Sequence, residues 1–298
     1  MSKQIFSLFI LAIISLFMNN IYCQTINDLS KTVVFLQKEF QSYEMKAGEK
    51  VEVWYKNPSS GKYEPKLNKF TGTGFLLNHN GRDYLITAKH VAAFCDSSAE
   101  ILINTTKDRR LQISFDVLRK YMPIINKARW FYHPTADIAL HPIAYTLKPD
   151  QLAIPKELIR EEEIKIKLLT DVIVLGFPLG QGIHDVLTPI AKMAKIASDI
   201  TPLDFPDINP KLKFYLLDQA LAQGYSGSPV FCSEEILSGV SIGEHPLSGG
   251  DKITLIGIVS LSMSDINGGK ISAVVPISYI REIFNSKDFI EYEKGLPK

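Results

Sequence analysis

The stretch Gln223-Gly224-Tyr225-Ser226-Gly227-Ser228-Pro229-Val230-Phe231 decides how this chain is read. A serine lies between two glycines, a proline follows, and apolar residues flank the whole: Phe214-Tyr215-Leu216-Leu217 before it, Val230-Phe231 after it. Glycine allows the backbone a tight turn and leaves the hydroxyl uncrowded. In such a turn the N–H groups of Gly224 and Ser226 can point at one spot, as binding a developing oxyanion requires. Taken alone, the same residues describe an ordinary Gly/Ser/Pro turn between strands.

The neighbours shift the balance. A serine hydroxyl is a poor nucleophile unless a base takes its proton. Upstream, Leu85-Ile86-Thr87-Ala88-Lys89-His90-Val91-Ala92 runs an apolar strand end into a histidine. Between the two, His133-Pro134-Thr135-Ala136-Asp137-Ile138-Ala139-Leu140 sets an aspartate among apolar residues, where a buried carboxylate needs a partner. Singly, His90 reads equally well as a core histidine and Asp137 as a strand-start cap. Together, in the order His, Asp, Ser, the three segments point to nucleophilic catalysis.

These blocks resemble the trypsin-like (chymotrypsin-fold) serine peptidases, and among them the bacterial Deg-like branch. Thr87-Ala88-Lys89-His90-Val91 is similar to that family's Thr-Ala-Ala-His-Val block. Asp137-Ile138-Ala139-Leu140 is similar to its Asp-Ile-Ala-Leu block, and Gly224-Tyr225-Ser226-Gly227-Ser228-Pro229 to its Gly-Asn/Asp-Ser-Gly-Gly-Pro block. Gly72-Thr73-Gly74-Phe75 and Gly176-Phe177-Pro178-Leu179-Gly180 resemble the family's two glycine turns, so the likeness runs from about Val51 to about Phe284. It implies His90 as general base, Asp137 as its orienting carboxylate, Ser226 as nucleophile, and the Gly224 and Ser226 N–H groups as oxyanion hole. It also implies two antiparallel six-stranded β-barrels, with His90 and Asp137 on the first and Ser226 on the second.

Departures from the family pattern carry their own expectations. Tyr225 stands where digestive proteases have an aspartate that pairs with a newly cut N-terminus, so activation by that route is not expected. Ala220 falls at the floor of the primary specificity pocket, and an apolar floor disfavours Lys and Arg in the substrate. Ser260, Leu261 and Ser262 resemble the edge strand that pairs with extended substrate, although a plain core strand reads equally well there.

The rest of the chain agrees with an all-β enzyme. Formal net charge is +1, with neither basic patch nor acidic tail, which argues against a nucleic-acid partner. No His/Cys spacing suits zinc, and neither metal nor cofactor is expected. Residues 1–23 read as a signal peptide: Lys3, then an apolar run from Ile5 to Met18, too short for a confident membrane span. A lipid-anchored Cys23 and an uncleaved membrane anchor remain as alternatives, and the expected location is secreted or periplasmic. Cys95 and Cys232 read as buried free thiols.

Residues 24–50 read as a helical lead-in, because Ile26, Leu29, Val33, Val34, Leu36 and Phe40 recur at roughly helical spacing. From 51 to 290 short strand-like runs dominate, giving a peptidase domain with barrels over about 51–150 and 168–275. Asn80-Gly81 is a hairpin signal, Gln151–Lys167 reads as an exposed connector, and Pro276–Asn285 as a C-terminal helix before a polar tail. The expected function is hydrolysis of protein or peptide substrates through an acyl-enzyme. Rival readings are a catalytically silent module that binds extended peptides, and an esterase on the same triad.

Overall fold

Val33 and Val34 open a strand, not the middle of a helix. The computed structural model describes residues 26–46, 48–105, 109–120, 129–143, 153–159, 166–203, 212–233, 253–265 and 268–296. The segment 1–23 with Cys23 lies outside them. The expected lead-in helix is confined to α1 (Ile26–Ser30), and β1 (Val33–Gln41) follows after two residues. Val33, Val34, Phe35 and Leu36 are all buried. A strand covered on both faces loses its alternation and reads as a continuous apolar run, which periodicity cannot separate from a buried helix.

The first half then makes two outlying hairpins, β2 (Tyr43–Lys46) with β3 (Glu49–Glu52) and β4 (Trp54–Lys56) with β5 (Tyr63–Pro65). Next come β6 (Leu67–His79), β7 (Arg82–Thr87) and α2 (Lys89–Phe94). They are followed by β8 (Glu100–Thr105), β9 (Arg109–Ser114), α3 (Phe115–Lys120), β10 (Phe131–Tyr132), β11 (Ala139–Pro142) and β12 (Ile154–Pro155). One sheet joins these strands in the order β10-β11-β7-β6-β1-β8-β9, with β12 parallel to β6. Asn80 and Gly81 both have positive φ and close the β6–β7 hairpin over the pair His79–Arg82.

The second half consists of β13 (Asp171–Gly176), β14 (Ile190–Lys195), β15 (Thr201–Pro202), β16 (Lys213–Leu217), β17 (Pro229–Ser233), β18 (Ile253–Ser264) and β19 (Lys270–Pro276). Their order is β14-β13-β17-β18-β19-β16-β15, antiparallel throughout. After them come α4 (Ser278–Phe284) and α5 (Lys287–Lys294). The fold is therefore all-β, two sheets in sequence with short helices at both ends.

A single apolar core spans the two halves. The Phe35 ring of β1 meets the Phe177 ring edge-on, centroids 5.5 Å apart, and both belong to a cluster that includes Leu175, Phe231 and Leu255. A smaller cluster fills the second sheet around Val172, Tyr215, Tyr225, Val230 and Val274. Two expectations change here. The 151–167 connector is not simply exposed, since Ile154 is fully buried against β6 and Leu158 is buried behind it. The tail after α4 is also helical: the Ser286 hydroxyl caps α5 by accepting from the Phe289 N–H, and Phe289 and Tyr292 enter the core. Phe289, Ile290 and Tyr292 among five charged residues are too weak a pattern to announce that helix.

Candidate active site

His90 is carried by α2, which begins directly after β7. The helix lies so close on β6 that a Cβ on Gly72 would stand 2.6 Å from Val91 Cγ1, so glycine sets the approach. Asp137 sits in the loop between β10 and β11. That loop is bound into shape by its own residues: the His133 N–H donates to the Ile138 carbonyl at 3.0 Å, and the Ala136 N–H donates to His133 Nδ1 at 2.8 Å. Lys89, where the family block has alanine, donates its ammonium to the His133 carbonyl at 3.0 Å. It therefore ties the helix of His90 to the loop of Asp137.

These connections bring His90 and Asp137 together. The His90 backbone N–H donates to Asp137 Oδ1 at 2.9 Å, and His90 Nδ1 lies 2.8 Å from Oδ2. The Ser260 hydroxyl donates to the same Oδ2 at 2.5 Å. Burial raises the Asp137 pKa, but the His90 ring, the Ser260 hydroxyl and the His90 N–H outweigh it and hold the carboxyl below its ordinary value.

Ser226 comes from the second half, on the turn before β17. Its hydroxyl donates to the Ser260 carbonyl at 3.4 Å, so Ser260 touches Asp137 through its side chain and Ser226 through its backbone. Among the described residues, no hydrogen bond joins Ser226 Oγ directly to the His90 ring. The turn depends on glycine at two points. Gly224 has φ +100° and a Cβ there would fall 2.4 Å from the Phe177 carbonyl; Gly227 has φ +84° and its Cβ would fall 2.1 Å from the Thr73 carbonyl. Among the described residues neither the Gly224 nor the Ser226 N–H donates a hydrogen bond, which leaves both able to receive an anion.

The expected substrate-facing residues have mixed placements. Ala220 presents its carbonyl to the Lys192 ammonium at 3.0 Å, and the next N–H, of Leu221, donates to Ser272 Oγ at 2.9 Å. Ser260 and Ser262 do not offer their hydroxyls outward: the first is bound to Asp137 and the second donates to the Leu221 carbonyl at 2.9 Å. Leu261 is half-buried against the core. Pairing of β18 with β17 stops at Ile258, while its pairing with β19 continues through Ser264, so one edge of 260–264 has no ladder partner among the described residues. Two residues escape a reading of the sequence. One is Ser260 as a partner of Asp137; the other is Thr73, buried between Gly72 and Gly74, whose polar position inside an apolar strand is the available signal.

The sequence profile of the trypsin-like peptidase domain matches residues 72–240, which cover all three segments. The chain belongs to that family. It is a trypsin-like serine peptidase, and its fold is that of the HtrA/Deg-type proteases. The HtrA-type protease AlgW with a decapeptide superimposes with TM-score 0.51 at 16% identity, over 89% of this chain and 66% of that one. Rv3671c from M. tuberculosis, in an inactive form, aligns at 16% identity with TM-score 0.47, over 92% of each chain. The MamO protease domain from Magnetospirillum magneticum aligns at 14% identity with TM-score 0.48, over 88% of this chain and 100% of that one. No curated protein sequence matches the chain. Unlike the family pattern, this peptidase places Ser228 after Gly227; its hydroxyl is fully buried, and a Cβ on Gly176 would lie 2.1 Å from it. Among the described residues no group of acidic, histidine or cysteine side chains is placed to hold a metal ion, and no helix is long and apolar enough to cross a membrane.

Proposed function

We propose that this peptidase hydrolyses peptide bonds with Ser226 as nucleophile, His90 as general base and acid, and Asp137 as the carboxylate that orients the imidazole. The observation that carries the proposal is the paired contact of Asp137 with one histidine, through its backbone N–H and its ring nitrogen. With Nδ1–H held by the carboxylate, Nε2 is the basic nitrogen. It takes the Ser226 proton as Oγ attacks the carbonyl, then delivers it to the leaving amine. The Gly224 and Ser226 N–H groups receive the oxyanion of the tetrahedral intermediate. Water then attacks the acyl-enzyme by the same route in reverse.

The substrate is a protein or peptide in extended form, added along the open edge of 260–264 by backbone hydrogen bonds. Ala220 floors the pocket for the residue at the cut and disfavours Lys and Arg there. Residues 1–23 direct export, which gives a secreted or periplasmic enzyme, with 24–50 leading into the peptidase domain.

A second reading has an observation of its own. Ser226 Oγ donates to the Ser260 carbonyl rather than to the imidazole, the state expected of a silent module that only binds peptides. Intact mass after treatment with a fluorophosphonate separates the two. A single adduct on the unmodified protein, absent from Ser226→Ala and His90→Ala, supports the enzyme. A folded protein that takes no adduct supports the binding module.

A further inference from the structure

Thr73 is a fully buried residue of the first half whose polar groups are bound mainly by the second. Its hydroxyl donates to the Gly224 carbonyl at 2.7 Å and accepts the Phe177 N–H at 3.1 Å. Its own N–H donates to the Ser226 carbonyl at 2.9 Å. One threonine therefore holds the carbonyls of both residues whose N–H groups are assigned to the oxyanion.

The planarity of the peptide unit turns this into a statement about direction. In a trans unit, C=O and N–H point opposite ways. The Gly224 N–H shares a unit with the Gln223 carbonyl, which accepts from the Leu179 N–H at 2.7 Å. The Ser226 N–H shares a unit with the Tyr225 carbonyl, which accepts from the Ser228 N–H at 2.9 Å. Between them lies the Gly224–Tyr225 unit, held by the Thr73 hydroxyl. Rotation of this unit changes ψ of Gly224 and φ of Tyr225, the torsions that join it to the two units carrying those N–H groups. The surroundings leave little room for Thr73 to shift: a Cβ on Gly176 would come within 3.0 Å of its Oγ1.

We infer that Thr73 is a positioning residue whose hydroxyl sets the direction of the Gly224 and Ser226 N–H pair. The inference rests on the oxyanion assignment proposed above. A purely structural hydroxyl would change stability on removal, yet leave those two amides and the turnover of folded molecules as they were.

The test compares Thr73→Val, which keeps shape and loses the hydroxyl, with Thr73→Ser, which restores it, in the full-length 15N-labelled protein. The expected result for T73V is displaced Gly224 and Ser226 amide resonances and a fall in kcat of about 100-fold, with KM within about twofold. T73S is expected to return both readouts close to the unmodified protein. Unmoved amides in T73V overturn the inference, as does a loss of kcat that T73S does not restore. If the unmodified protein turns over neither peptide nor ester, the oxyanion assignment fails separately. The amides then decide alone: displaced and serine-restored supports Thr73, unmoved overturns it. Should T73V not fold, T73A takes its place.

Discussion

Asp137 holds His90 at two points, its Oδ1 accepting the backbone N–H and its Oδ2 facing ring Nδ1. One contact fixes where the helix starts and the other fixes the rotation of the ring. In Asp137→Asn the amide still fills the space but can present N–H to the ring and favour the wrong tautomer. A fall in kcat of about four orders of magnitude is expected, by analogy with the general triad. Steady-state kinetics on a peptide substrate check it, and a near-normal rate would remove Asp137 from its assigned role.

The same contacts set an acid limb of stability. The folded Asp137 carboxyl titrates below its ordinary value of 3.8. Its contribution is therefore complete above the unfolded value and is lost as pH falls through the lower folded one. The gap in urea midpoint between the unmodified protein and Asp137→Asn should be widest above about pH 4 and shrink as pH drops further. A gap that stays constant down to about pH 2.5 would contradict the assignment.

Ser228 offers a stabilising change. Its hydroxyl is buried with no hydrogen-bond partner among the described residues, and an unpaired buried hydroxyl is costly. Ser228→Ala should raise stability by about 1 kcal/mol, read from denaturant midpoints. A loss of that size would reveal a partner for the hydroxyl.

Two glycines with similar φ should behave differently. A Cβ added to Gly48 (φ +87°) would meet nothing within 4 Å, so Gly48→Ala carries only backbone strain, about 1 kcal/mol. A Cβ added to Gly227 (φ +84°) would come within 2.1 Å of the Thr73 carbonyl and 2.2 Å of Thr87 Oγ1. Gly227→Ala should cost about 3 kcal/mol or more. Equal losses in a urea titration would mean the two halves are less closely apposed at this point.

Cys95 should resist alkylation. Burial, reinforced by the Asp96 charge, pushes its thiol up to about 12, so almost no thiolate exists at neutral pH. Peptide mapping after iodoacetamide should find Cys95 unmodified in the native protein and modified in urea. Rapid native labelling would mean that the α2 end opens readily.

Much of this is legible in the residues. Asn80-Gly81 gives its hairpin because few other residues accept positive φ twice in succession. The three motif segments stand out because His90 and Asp137 each interrupt an apolar run and Ser226 lies between two glycines. What stays hidden depends on partners distant in sequence. β1 reads as helix since its burial between β6 and β8 erases the alternation that marks a half-exposed strand. Ser260 reads as part of a substrate strand, and nothing local in Ile258-Val259-Ser260-Leu261-Ser262 says that one hydroxyl turns back to a carboxylate 123 residues earlier. Thr73 reads as a lone polar residue between two glycines, and nothing local says that its hydroxyl donates to a carbonyl 151 residues away.

Helix α5 has a bearing on how the first half is completed. Phe289 packs its ring against Tyr84 and Phe131 of the first sheet, and Glu293 accepts the Tyr84 hydroxyl at 2.8 Å. The sheet that carries His90 and Asp137 is thus finished by residues synthesised long after it. A chain that ended before α5 would lack Phe289 and Glu293, and with them the ring packing on Tyr84 and Phe131 and the acceptor of the Tyr84 hydroxyl.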